Sequence, residues 1–439
     1  MYHFIGIKGS GMSALAQIMT KLGYEVQGSD VEKHFFTQIE LDKLNVKIYP
    51  FDKENIKQGQ IIVRGTTFNE ENCEEVKKAK ELNLKIYDYP EMLGELTKKF
   101  DTIAICGCHG KTTTTGMLSY VLNNTIGCNY LIGDGTGDAN PKNKNFVIEA
   151  CEYQKHFLNY HPKYTIITNI DLDHVDFYKN IDEIIQTFDE FCSQTSEKII
   201  ACGDNDNIRK LKNKNIIYYG LNEDNDIKAT NIEYTKDGSS FDCIINNSLF
   251  GRFNLHIYGK HMIQNALAVI YISKILGLTK EEIENKINTF PGVKRRFTET
   301  KIGTNIIIDD YAHHPNEIKA MINSVKQKYP DKKLITVFQP HTFSRTKQFI
   351  KDYIEIFNKV DFAYFTEIYK SREKQEDYPD IKTHLITDHI KHSEIITLED
   401  KDKFKNLENS VILIMSPNEL KLLVDNIKEA LQEQIKIPN

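Results

Sequence analysis

The sequence predicts an α/β chain of three domains, and three observations predict it. Short β-rich runs alternate with stretches in which apolar residues recur at helical spacing, the pattern of parallel βαβ units. That alternation begins afresh twice, at Phe100 and after Pro291-Gly292. Between residues 227 and 258 the style changes to alternating strands broken by Asp237-Gly238 and Asn246-Asn247, the turn signals of an antiparallel appendage. A length of 439 residues agrees with two or three domains rather than one.

In the first unit, residues 1–98, the runs YHFIGI, YEVQGSD, QIIVRG and LKIYD read as strands. The stretch GMSALAQIMTKLG reads as a helix, with Met12, Leu15, Ala16 and Met19 on one face. Gly6, Gly9 and Gly11 lie between the first strand and this helix, and Asp30 ends the next strand. This is close to a dinucleotide fingerprint and makes the unit Rossmann-like, but the spacing is GxxGxG rather than GxGxxG. The turn therefore suits a nucleotide pyrophosphate without specifying NAD. Glycines needed only for tight strand-to-helix packing remain the alternative.

The second unit, residues 99–292, opens with the strand FDTIAI followed by CGCHGKTTTT. A glycine-rich turn from strand to helix aims backbone N–H groups and the positive helix end at anionic oxygen, and a Lys beside it adds a point charge. Gly107, Cys108, His109, Gly110, Lys111, Thr112 and Thr113 are thus read as a phosphate cradle, with Lys111 on the terminal phosphates and the Thr112 hydroxyl on Mg²⁺. Ile105 stands where the full P-loop pattern has Gly, so only GxxGKT is present. The strands FVIEA and YTIITN deliver Glu149 and, in TNIDLDHVD, Asp171, Asp173 and His174 to strand ends. Ligands of open α/β sheets gather there, so Glu149 and His174 are candidate metal ligands beside the loop.

The third unit, residues 293–439, is again Rossmann-like α/β, with NIIIDDY, KLITVFQ, DFAYF and SVILIM as strands. Arg295 and Arg296 in GVKRRF, Asp309 and Asp310 in DDYAHHP, and His341 and Arg345 in FQPHTFSR bring charge to its turns, as a second wall of a cleft would.

Composition excludes several classes of function. A charge of −6 offers nucleic acid or an anionic membrane no electrostatic attraction. No apolar run approaches the roughly 18 residues of a span, and the start has no signal-peptide pattern. A soluble, cytoplasmic protein is expected. Its eight cysteines contain no CxxC pair, which argues against a zinc or disulfide framework.

HFIGIKGSGMSALA, GCHGKTTTT, EACEYQKHFL, TNIDLDHVD, NALAV, GVKRRF, DDYAHHPNEI and FQPHTFSRT, in that order over residues 3 to 346, resemble the signatures of the Mur ligase family, in its alanine-adding branch. The resemblance implies a three-domain enzyme using ATP and Mg²⁺ to join L-alanine to UDP-N-acetylmuramic acid in peptidoglycan synthesis, as a monomer or weak homodimer. It implies that Lys111 and Mg²⁺ meet the transferred phosphoryl group, with Thr112, Glu149 and His174 around the metal. Asn265 and Arg296 would hold the nucleotide, and Asp310 would bring the third domain onto it. His341 and Arg345 would lie by the alanine, Arg345 pairing with its carboxylate. Ser10, Gly11, Met12, Ser29 and Asp30 would contact the UDP-sugar, and His313 would be a further substrate contact.

The chain departs from that family at Lys8, Cys108, Met262 and Thr342. Related ligases for later residues carry a modified Lys about 15 positions beyond the metal-site His, where this chain has Asp189. Two other readings stay open: a recycling ligase that attaches a whole peptide, and, from the first unit alone, a nicotinamide-dependent dehydrogenase, which leaves the GKT loop unexplained.

Overall fold

A computed structural model describes residues 1–436 apart from 176, 214, 372 and 419; the last residue of TNIDLDHVD therefore lies outside the described residues. Three sheets follow one another along the chain.

The first holds β1 (Tyr2–Ile5), β2 (Val26–Ser29), β3 (Lys47–Tyr49), β4 (Ile61–Arg64) and β5 (Lys85–Asp88), all parallel, in the order β3-β2-β1-β4-β5. The order reverses at β1, so a crevice opens where Gly6 to Gly9 lead into the helix Ser10–Lys21.

The second comprises β6 (Asp101–Cys106), β7 (Cys128–Ile132), β8 (Thr136–Asp138), β9 (Asn145–Glu149), β10 (Tyr164–Ile167), β11 (Lys198–Cys202), β12 (Ile216–Gly220), β13 (Ile227–Thr235), β14 (Gly238–Ile245) and β15 (Ser248–Leu255). Their order is β15-β14-β13-β12-β11-β10-β6-β9-β7-β8. From β13 to β7 in that order neighbouring strands pair in parallel, the central ones as near-continuous Val, Ile and Ala runs buried on both faces, while β8 runs antiparallel to β7. The antiparallel appendage extends this sheet through β14 and β15. At its second turn Asn246 and Asn247 adopt φ of 49° and 63°, the left-handed pair that a two-residue hairpin loop requires. β6 lies between β9 and β10, so the loops leaving these three strands share one edge of the sheet.

The third sheet places β16 (Thr298–Ile302) antiparallel to β17 (Asn305–Asp310), followed in parallel by β21 (Ser410–Met415), β18 (Lys333–Phe338), β19 (Phe362–Phe365) and β20 (Ser393–Ile395). Separate apolar clusters cover its two faces, one around Ile308, Phe338 and Leu413, the other around Ile307, Val337 and Ile412. By contrast a single cluster runs from Phe4, Leu15 and Leu93 through Ile105, Phe146 and Ile167, so the first two sheets share an apolar core. Among the described residues no helix is long and apolar enough to cross a membrane.

Candidate active site

The chain leaves β6 at Cys106 and turns through residues 107–110 into the helix Lys111–Asn123. Gly107 and Gly110 have φ of +133° and +80°; a side chain at 107 would collide with the Thr168 hydroxyl, and Gly110 abuts the Asn265 amide. No side chain caps the helix, so its first amides face outward, ready for an anion. From behind, the Asn169 side chain accepts from His109 N at 2.8 Å and donates to His109 O at 2.9 Å. Cys108 takes part in the same bracing: its Sγ donates to Asp171 O and accepts from Asp171 N, at 3.1 and 3.2 Å. Thr113 is buried beneath the turn. The Lys111 ammonium folds back to donate to the carbonyls of Gly107 and Cys108 and meets Glu152 at 3.0 Å.

Two carboxylates, the half-buried Glu149 and the buried Glu152, stand beside the loop. Glu149, at the end of β9, accepts from the Thr112 hydroxyl at 3.1 Å and from Gly133 N at 2.8 Å. Burial raises its pKa, against the pull of Lys111. Glu152 is 1% exposed, and its other oxygen lies 3.4 Å from His174 Nε2. Burial alone would raise its pKa as well, but Lys111 and His174 bring it down to about 2. The structure thus brings Thr112 and Glu149 together and joins His174 to Glu152 instead. Asn265 Nδ2 is buried without a hydrogen-bond partner next to Gly110, a donor aimed at the loop.

The third domain closes over this edge. Arg345 donates to Asp173 and lies 3.2 Å from His341 Nδ1; Arg345 and Asp173 are 8% and 6% exposed. The partner of this guanidinium is therefore a carboxylate of the chain itself. Asn316 donates to Asp171 at 3.1 Å. His109 lies between Asp171 and Glu317, at 3.4 and 3.5 Å, and stacks on His314 with ring centres 4.3 Å apart. Burial disfavours its charged form, yet the two carboxylates raise its pKa to about 9. Arg296 lies 3.7 Å from Glu317 and over the Tyr311 ring. His313 packs edge-on to His341, and burial lowers its pKa to about 3. Asp310 accepts from Phe297 N and Ala312 N, both at 2.8 Å, so it braces the turn that carries Arg296.

At the first-domain end, Ser10 opens its helix and Gly11 leaves room for the Tyr89 ring. Asp30 accepts from Lys8 N at 2.7 Å while the Lys8 ammonium donates to Val31 O and Lys33 O, strapping the turn shut on its outer side. Met12 is buried in the core, and Ser29, 0% exposed, donates to Glu75 beside His3. The structure does not bring either to the crevice surface. The loop 133–137 lies between this helix and Glu149: Gln17 donates to Gly135 O and accepts from Gly137 N, at 3.0 and 3.1 Å.

Sequence reasoning singled out neither Glu152 nor Glu317, although both lie in quoted motifs. Glu152, three residues past a strand-end carboxylate, and Glu317, in the first turn after His-His-Pro, each carry a signal of placement that becomes a role only when the partner element is known.

Three family models tile the chain: "Mur ligase family, catalytic domain" over residues 1–101, "Mur ligase middle domain" over 105–273, and "Mur ligase, glutamate ligase domain" over 295–418. Among solved structures, UDP-N-acetylmuramate-alanine ligase MurC from Thermotoga maritima is 23% identical, with 98% of this chain and 99% of that one covered and a TM-score of 0.82. A murein peptide ligase from Psychrobacter arcticus is 21% identical over 100% and 99% of the two chains, with a TM-score of 0.70. MurF ligase from Thermotoga maritima, solved in complex with ADP, is 16% identical over 88% and 97%, with a TM-score of 0.66. These likenesses concern the fold. The order of the three matched models, repeated in the order of the three sheets, shows that the chain belongs to the Mur ligase family.

Proposed function

We propose that the protein is an ATP-dependent ligase that joins L-alanine to the carboxylate of UDP-N-acetylmuramic acid through an acyl phosphate. In this reading residues 1–98 bind the UDP-sugar, 99–292 bind ATP, and 293–439 receive the amino acid. The observation that carries it is the meeting of the second domain with a third-domain wall: His109 of the Lys111 loop reaches Glu317, the partner of Arg296, and packs on His314, while Arg345, beside His341, reaches Asp173.

The loop fits a nucleotide polyphosphate: it has an uncapped helix start, an orphaned Asn265 donor and a lysine within the turn. A Mg²⁺ ion accompanying it keeps much of its water and needs only one or two protein oxygens besides phosphate. That demand matches Thr112 and Glu149; among the described residues no group of three or more His, Cys, Asp or Glu forms a cage of its own. When bound, ATP supplies the phosphoryl group that turns a poor acyl donor into a good one, and the metal adds positive charge beside it.

The chain's own residues then divide the remaining tasks. Lys111 places positive charge where the transferred group becomes most anionic. Asn265 and Arg296 orient the nucleotide, and Asp310 holds Arg296 in register through Phe297. His341 and Arg345 lie by the acceptor alanine, Arg345 pairing with its carboxylate, and closure of the third domain there would exclude water from an otherwise hydrolysable acyl phosphate. One feature favours a single small amino acid over a whole peptide: Arg345 and Asp173 close the acceptor end. Asp189, at the position of the modified Lys, accepts from Lys212 N at 2.8 Å, which sets the chain apart from ligases for later residues.

Likeness to a murein peptide ligase favours the second reading, attachment of a peptide. Phosphate release from ATP, with UDP-N-acetylmuramic acid present and alanine, glycine, serine or a tripeptide as acceptor, decides between them. Alanine is expected to give the highest kcat/KM. Release driven best by the tripeptide replaces the first reading with the second, and no release with any acceptor removes both.

A further inference from the structure

The roles assigned to Lys111 and His174 leave none for the group between them. Glu152 is buried and has both side chains as partners, the Lys111 ammonium at 3.0 Å and His174 Nε2 at 3.4 Å. Its backbone is fixed too, because Tyr178 donates to Glu152 O at 2.6 Å. Together with the carbonyls of Gly107 and Cys108, this carboxylate draws the Lys111 ammonium back along the turn. A buried carboxylate left without partners is costly, so one that gives up an ammonium must keep another polar partner. His174 Nε2, at 3.4 Å, is that second partner. A polyphosphate carries more negative charge than one carboxylate and can outbid it for Lys111.

We infer that Glu152 is a positioning residue: a counter-ion that holds Lys111 folded on the loop, yields it to the incoming polyphosphate, and stays on His174. The inference rests on the proposed nucleotide site and adds a resident competitor for the lysine. It makes Glu152 oppose nucleotide binding while serving the alignment that turnover needs. A carboxylate with a merely structural role would, on removal, weaken both.

Calorimetry of ADP binding in the presence of a chelator, paired with turnover in Mg²⁺, separates the two. Glu152→Gln is expected to bind metal-free ADP about tenfold more tightly, the worth of one charge-assisted contact, and to lose at least about tenfold in kcat. In a Lys111→Ala background the same substitution should leave the ADP affinity unchanged. Glu152→Asp, whose shorter carboxylate retreats from the lysine, should shift affinity in the same direction by less, and serves if the Gln variant does not fold. Unchanged or weaker ADP binding in a folded Glu152 variant, or a shift that persists without Lys111, overturns the inference while leaving the nucleotide site standing. Wild-type protein that binds no ADP overturns both.

Discussion

At the scale of single residues, the pair Asp173–Arg345 carries the sharpest consequence. The family resemblance gives Arg345 to the alanine carboxylate, whereas the structure gives it Asp173 and His341. Both roles fit one guanidinium, which has five donors. Removing one member of a buried ion pair strands the other and costs about 3–5 kcal/mol, whereas removing both costs less. Arg345→Ala is therefore expected to be less stable in denaturant than Arg345→Ala/Asp173→Asn, and to raise the KM for alanine far more than that for ATP. An unchanged KM for alanine removes the acceptor role and leaves only the interdomain one. Legibility at this scale was uneven for a physical reason. Lys111, Glu149 and Arg345 sit at strand or helix ends, where a local pattern announces them. Ser29 also ends a strand, but its hydroxyl turns inward to Glu75, and strand periodicity says nothing about which strand end faces a buried acid.

At the scale of elements, the alternation of strands and helices and the hairpin turns were legible because period and turn chemistry are local. Less legible were the loops that touch a different element. The turn between β7 and β8, with the start of β8, is one such segment: a Cβ at Gly133 would strike the Glu149 carboxylate, and one at Gly137 would strike the carbonyl of Ala14 in the first domain. Gly137→Ala should thus push the helix Ser10–Lys21 away, costing about 1–3 kcal/mol in stability and raising the KM for the UDP-sugar while sparing ADP affinity. Wild-type melting temperature together with wild-type KM would show that the contact gives way freely.

At the scale of the molecule, charged groups join neutral contacts, such as Gln327 to Gly238 O and Ser324 to Tyr258 O, in seating the third domain on the second. His109 reaches Asp171 on its own domain and Glu317 on the other, with His314 stacked on its face and Asp173 and Arg296 close by in charge. Its folded pKa of about 9 lies above the unfolded value of about 6.5, so its contribution is fully present below pH ~6.5 and is lost as pH rises through 9. Linkage sets the scale at up to roughly 3 kcal/mol. Small-angle scattering is expected to show a larger radius of gyration at pH 9.5 than at pH 6.5, and His109→Asn should flatten that difference. Equal dimensions at both pH values in the wild-type protein would assign the closure to other contacts. Such an arrangement was foreseeable only in part, since the sequence placed charge on both walls without pairing any of it across the cleft.

The loop 133–137 joins two places that the chain otherwise keeps far apart. Glu149 grips its first amide, and Gln17 grips the carbonyl and amide near its last. A ligand that draws Glu149 toward itself would therefore pull on the helix Ser10–Lys21, and a ligand seated on that helix would pull on Glu149. Thermodynamic reciprocity makes the two influences equal in size. On the proposed assignment, whatever factor the sugar nucleotide contributes to metal and ATP affinity would be returned, measured from the other side, as the same factor in its own, and this short strap would let two substrates sense each other's arrival before any bond is made.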